Sequence, residues 1–157
     1  MNRTLLVTAL IATAAFGASF GASAQGTGAG TTQRDVNQEQ RIENGLQNGS
    51  ITTRENSELQ REEAHVDRMQ AHDMKDGSLS PTEKAKLAAA QDKVSRDIHQ
   101  AKTNGVNGNP MSASSQRAQA DVQRDVNQQK RINAGVRDGS LTGHEAARSA
   151  RGALAST

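Results

Sequence analysis

Apolar residues in this chain recur at the three-and-four spacing of a helix from about Arg34 onward. The series is clearest after Pro81, where Leu87, Ala90, Val94, Ile98 and Ala101 fall within roughly 80° of arc on a helical wheel. Val36, Ile42 and Leu46 make an earlier stripe, Leu59, Val66 and Met69 a second, and Ala118, Val122, Val126, Ile132 and Val136 a fourth. The pattern predicts helices at about 34–47, 53–75, 81–102, 114–137 and 143–154, and no segment after Arg34 has the alternation of a strand. The predicted class is all-α, built of antiparallel helical hairpins whose narrow stripes need a neighbouring helix or another copy of the chain to cover them.

The helix ends are written in one phrase used three times: Gly49-Ser50-Ile51-Thr52-Thr53-Arg54-Glu55, Gly77-Ser78-Leu79-Ser80-Pro81-Thr82-Glu83 and Gly139-Ser140-Leu141-Thr142-Gly143-His144-Glu145. Glycine suits the left-handed position just past a helix, and Ser or Thr three residues before Glu is a capping box. Pro81 suits the first helical position after Ser80. The segment from Arg34 to Glu55 also repeats from Arg124 to Glu145, sharing Arg-Asp-Val-Asn-Gln and then Arg41/Arg131, Ile42/Ile132, Gly45/Gly135 and Gly49/Gly139 in register. This is an internal duplication with a truncated second copy.

These signals divide the chain into a signal peptide (1–24), a flexible leader (25–33), a three-helix unit (34–102), a linker (103–113) and a C-terminal two-helix hairpin (114–157) that repeats the start. Arg3, the apolar run from Leu5 to about Phe16 and the small residues Ala22-Ser23-Ala24 have the three-part form of a secretory signal. That run is shorter than the roughly 20 residues of a membrane span, and the chain has no cysteine for a lipid anchor. The expected location is periplasmic or secreted. The last helix offers Ala146, Ala147, Ala150 and Leu154, has little to bury and is expected to fray.

Composition narrows the function classes. Of 19 basic and 17 acidic residues, only Arg3 leaves with the signal, so the remainder is nearly neutral and has no global field to gather nucleic acid or anionic lipid. Phe16 and Phe20 leave too, removing every aromatic platform for base stacking or membrane anchoring. Large aliphatics and Met are few for the length, so marginal stability or folding on association is expected.

Candidate chemistry is sparse. Asp76-Gly77-x-Leu79-x-x-x-Glu83 is similar to the second half of an EF-hand loop, but the places of the first two ligands hold His72 and Met74 there, Asn44 and Leu46 in the first phrase, and Ala134 and Val136 in the third. Calcium takes six to eight oxygen ligands, so it is not expected as a cofactor, and a capping role accounts for the Gly and Glu. On the second helix Glu62, His65, Met69, His72 and Asp73 share roughly 100° of arc. His65, Met69, His72 and Asp73 are therefore the candidate metal ligands, for copper or another transition metal. The competing reading places Met69 in the apolar stripe with Val66, and the two histidines as its solvated flanks. His99 and His144 have no nucleophile or base partner by motif, and no catalytic residue is assigned; the expectation is a non-enzyme with no cofactor.

With Val36-Asn37-Gln38 and Val126-Asn127-Gln128-Gln129, then Arg-Ile-x-x-Gly and Gly-Ser-Leu-Thr-x-x-Glu, the chain resembles a group of small uncharacterised exported helical-repeat proteins of Gram-negative bacteria. The resemblance covers about 34–102 and 124–145, and implies export and helical hairpins. Leu-Thr-x-x-Glu is also similar to the Leu-Thr-x-x-Gln motif of periplasmic stress chaperones, with Glu in place of Gln. The functional expectation is an exported, non-enzymatic helical interaction protein, chaperone-like or self-associating, binding a protein partner or itself. No nucleic-acid binding and no stable membrane insertion are expected. The alternative is a metal-stress protein using the His65/Met69/His72 face.

Overall fold

The computed structural model describes residues 29–154, so the signal segment and the leader before Ala29 lie outside the described residues. Within them the chain is all-α: α1 (Ala29–Asn48), α2 (Thr53–Asp73), a single 3₁₀ turn (Met74–Asp76), α3 (Pro81–Thr103), α4 (Ala113–Asp138) and α5 (Gly143–Leu154). The first helix starts earlier than periodicity indicates, because Ala29 to Gln33, assigned to the leader, continue α1 backward. Thr32 in that extension is buried and its hydroxyl lies 3.1 Å from Asn133 Oδ1, which gives these small polar residues a partner that periodicity does not register.

The repeated phrase does what its chemistry dictates. Gly49, Gly77 and Gly139 all adopt positive φ at helix ends. The Thr52 and Ser80 hydroxyls accept from the backbone N–H of Glu55 and Glu83, while each Glu carboxylate accepts from the cap residue's own N–H. Thr142 and Glu145 make the same reciprocal pair before α5. In both copies the chain then folds back on its helix: Ile51 N–H donates to Gly45 C=O at 3.0 Å and Leu141 N–H to Gly135 C=O at 2.8 Å. A Cβ on Gly135 would stand 2.8 Å from Leu141 Cδ1, so the shared glycine inside the helix, Gly45 or Gly135, seats the aliphatic residue of the turn.

Cross-links between helices define the topology. Gln60 of α2 reaches Glu39 of α1, Lys93 of α3 reaches Glu62, and Asn104 after α3 reaches Glu55, so α2 runs antiparallel to both neighbours. Thr32 meets Asn133 at one end of α1 while Gln119 donates to Leu46 C=O at the other, so α4 is antiparallel to α1. The arrangement is an up-down-up-down bundle with α5 returning beside α2 and α4. Val122 and Val126 of α4 belong to the same core cluster as Ile42, Leu46, Val94 and Ile98, so the segments on either side of the linker share one core. The linker itself lies on the first turn, where Gly108 N–H donates to Gly49 C=O at 2.8 Å.

Of the two ways to cover the apolar stripes, neighbouring helices of the same chain do so, leaving Val106 and Met111 in the linker as the exposed large apolar residues among those described. The last helix does not present an idle face: Ala146 and Ala150 pack on Ile132, Val136 and Leu141, and Ala147 packs on Ala71 and Met74. Small side chains suffice there because they let α5 approach its neighbours closely.

Candidate functional site

The bundle interior is unusual in what lies beside its apolar stripes. Fourteen buried polar or charged side chains accompany nineteen buried apolar ones, and six of the fourteen are acids: Glu43, and five raised ones that converge between α1, α2 and α4, Asp35, Glu39, Glu63, Asp67 and Asp125. Helical geometry explains the grouping. Asp35 and Glu39 are one turn apart on α1, Glu63 and Asp67 one turn apart on α2, and each pair flanks an apolar residue that points into the core. The duplication supplies Asp125, the counterpart of Asp35 across the antiparallel α1/α4 pair.

An ionised carboxylate deprived of water is costly unless paired, so such groups retain their protons instead. Burial pushes Asp35 up to about 7, against hydrogen bonding from Gln91, which donates to Asp35 Oδ1 at 2.7 Å. Burial likewise pushes Glu39 up to about 8, opposed by a 2.9 Å bond from Gln60 and reinforced by the neighbouring charges of Asp125, Asp35 and Glu43. Glu63 and Asp67 are raised well above the ordinary carboxylate range, again chiefly by burial and then by repulsion from acids of the same cluster. Asp125 is raised by burial to about 6, with Arg124 opposing.

The charged groups bearing on this layer can be named by element. α1 contributes Arg34 and Glu43, α2 contributes Glu62 and Arg68, and α4 contributes Asp121 and Arg124. Arg34 is engaged at the surface with Asp92 of α3, and Arg124 with Asp121. From α3 the group that enters the layer is the neutral amide of Gln91. The layer therefore has a surplus of acceptors. Glu63 Oε1, Asp67 Oδ2 and the carbonyl oxygens of Gln38, Gln70 and Gln129 are all buried with no hydrogen-bond partner among the described residues. A protonated carboxyl is a donor as well as an acceptor, so each proton that burial holds on these acids adds a donor to the layer.

The candidate metal ligands are not gathered in this way. His65 and His72 are exposed, Met69 is half-buried against the main apolar cluster, and Asp73 Oδ1 lies 3.1 Å from His72 Nδ1. Among the described residues no three His, Cys, Asp or Glu side chains stand together as a metal site. The glutamates at the ends of the EF-hand-like phrases are occupied as caps. An acidic groove of about 330 Å³ does lie between α2 and α3, but its Glu62 and Asp97 are both held by Lys93 Nζ at 2.6 Å. The buried acids are thus the feature that sequence reasoning missed. Its available signal was the duplicated Asp35/Asp125 immediately before the core valines Val36 and Val126.

Fold and site together define an all-α, up-down-up-down bundle with a buried acidic layer. No protein-family model, no curated protein and no solved structure matches the chain. Among the described residues no helix is long and apolar enough to cross a membrane.

Proposed function

We propose that this chain is an exported, non-enzymatic helical interaction protein whose availability for binding is gated by protons. In acid the layer is neutral and the bundle is closed over its apolar stripes. As the pH rises toward neutrality the layer charges, the helices separate, and stripes such as Val36–Ile42–Leu46 are released to a protein partner. The observation that carries this reading is the convergence of Asp35, Glu39, Glu63, Asp67 and Asp125 between α1, α2 and α4, with Glu63 and Asp67 each holding an unpartnered oxygen. Export rests on the signal-like sequence of residues 1–24 and on the resemblance to small exported helical-repeat proteins; an exported protein meets the pH of its surroundings directly.

The reading is tested by binding of a hydrophobic dye and by suppression of aggregation of an unfolded client protein, each across the range from about pH 5 to 8 in which the buried acids titrate. Both should rise with pH as helical packing loosens. Equal dye binding and client protection at the two ends would remove the proton gate.

A further inference from the structure

We propose that the inner face of α1 is an interaction surface for α4 of a second copy of this chain, so that opened molecules reclose by exchanging α4 and α5. The proposal rests on the proton-gated opening above and adds the identity of the occupant. Its basis is that α1 and α4 are duplicates packed on one another. Asp35/Asp125, Val36/Val126, Ile42/Ile132, Gly45/Gly135 and Leu46/Val136 are paired by the repeat and all ten are buried, Ile42, Leu46 and Val126 in the core that α1 shares with α4, Ile132 and Val136 against α5. The pairing is antiparallel, with Thr32 against Asn133 and Leu46 against Gln119. Two copies of one sequence thus pack antiparallel on each other, the orientation in which a face can meet its own kind.

An exchanged pair repeats every α1/α4 contact of the closed monomer, so the difference between the two states lies in chain connectivity alone. The loop between α3 and α4 permits the exchange. Its nine residues, 104–112, reach at most about 30 Å when extended. Asn109-Pro110, together with Gly105 at positive φ, makes it a turn that can open without disrupting a helix. Its attachment to the rest of the molecule is narrow: the Gly108 N–H bond to Gly49, Asn104 to Glu55, and Gln119 to Pro110 C=O. α4 also carries one wall of the acidic layer through Asp125 and Gln129, so charging the layer loosens the element that is to be exchanged.

The chain has no cysteine, so introduced thiols report without background. Thr32→Cys and Asn133→Cys chains are prepared separately in acid, mixed, carried to about pH 8, returned to about pH 5 and oxidised; circular dichroism follows opening in the same samples. A disulfide between the two kinds of chain is expected to exceed either like-with-like disulfide, and to appear only after the excursion. With an effective concentration on the order of 1 mM for a short linker, the dimer share should rise roughly tenfold between ~10 and ~100 µM protein. Isotopically heavy and light unmodified chains, mixed the same way and weighed intact, cover the case in which a variant folds poorly. Mixed-mass dimers support exchange; opening without them overturns it while leaving the proton gate standing. A statistical distribution of disulfides also overturns it. If circular dichroism shows no opening, the gate itself fails and the exchange falls with it.

Discussion

Raising the pH from about 5 to about 8 should destabilise this bundle by an amount comparable to the whole stability of an ordinary domain. Asp35 and Glu39 are each 2% exposed, and burial lifts them to about 7 and about 8. Each pH unit between folded and unfolded affinity is worth about 1.4 kcal/mol, so ionising Asp35 within the fold costs about 4 kcal/mol and Glu39 about 5 kcal/mol. Both groups bind protons more tightly in the folded than in the unfolded chain. Their contribution is thus fully present below the ordinary carboxylate range and is lost as the pH rises through 7 and 8. Between about pH 5 and 6 these two alone give a slope of roughly 3 kcal/mol per pH unit, and Glu63 and Asp67 steepen it. The exposed caps Glu83 and Glu145 lie below their usual range through their bonds to Ser80 and Thr142, so their contribution is lost in the opposite direction, as the pH falls. Stability should therefore peak in mild acid. Urea unfolding followed by far-ultraviolet circular dichroism measures this, since the described residues contain no aromatic to fluoresce. Glu39→Gln keeps the acceptor for Gln60 and copies the neutral residue that the second copy carries as Gln129; it should raise stability at about pH 8 by several kcal/mol and reduce the slope by about one proton. An unfolding midpoint that is flat, or that rises with pH over this range, would refute the reasoning.

Three further outcomes follow from the turns and caps. Gly135→Ala should destabilise by about 1–2 kcal/mol despite alanine's better helix propensity, because its Cβ meets Leu141 Cδ1 at 2.8 Å; adding Leu141→Ala should make the second change cost less than it does alone, measured as a double-mutant cycle by urea unfolding. Gly49→Ala should cost more than Gly77→Ala: both sit at positive φ, worth about 1–2 kcal/mol, but only at Gly49 does the new Cβ meet a backbone oxygen, Gly108 C=O at 2.8 Å. Thr142→Ala should cost about 1 kcal/mol and reduce hydrogen-exchange protection selectively in α5, whose first turn it caps.

Helix positions and turns were legible in the sequence because they depend on local chemistry. A glycine after an apolar period and a Ser or Thr before Glu state where a backbone leaves the helix, whatever it later packs against. The contribution of α5 was not legible, since alanine burial depends on how closely another helix approaches, and Ala146, Ala147 and Ala150 have no signature apart from Ile132, Met74 and Ala71, the neighbours that cover them. The early start of α1 was hidden for a similar reason: Thr32 is fixed by Asn133, 101 residues away.

The acidic layer was illegible for a deeper reason. Periodicity assigns burial by counting apolar residues as inside and charged residues as outside, and a helical stripe two residues wide defeats that count. Along α1 the buried positions come in adjacent pairs, Asp35-Val36, Gln38-Glu39, Ile42-Glu43 and Gly45-Leu46, so the same arc that seats the apolar stripe also carries the polar one. The duplication shows how the two copies differ within that frame. Positions 35 and 125 are both Asp, but Glu39 and Glu43 face the solvent-excluded interior where the second copy has Gln129 and Asn133. The amides cannot ionise, so α4 contributes one titrating acid and its duplicate α1 contributes two that are raised, with Glu43 adding to the repulsion on Glu39. Four of the five raised acids therefore lie in the first hairpin, α1 and α2, and α4 faces them with Asp125 and the neutral Gln129. A chain acidic at these positions in both copies should lose stability more steeply with pH, and one with amides in both less steeply, the remaining slope coming from Asp35, Glu63, Asp67 and Asp125.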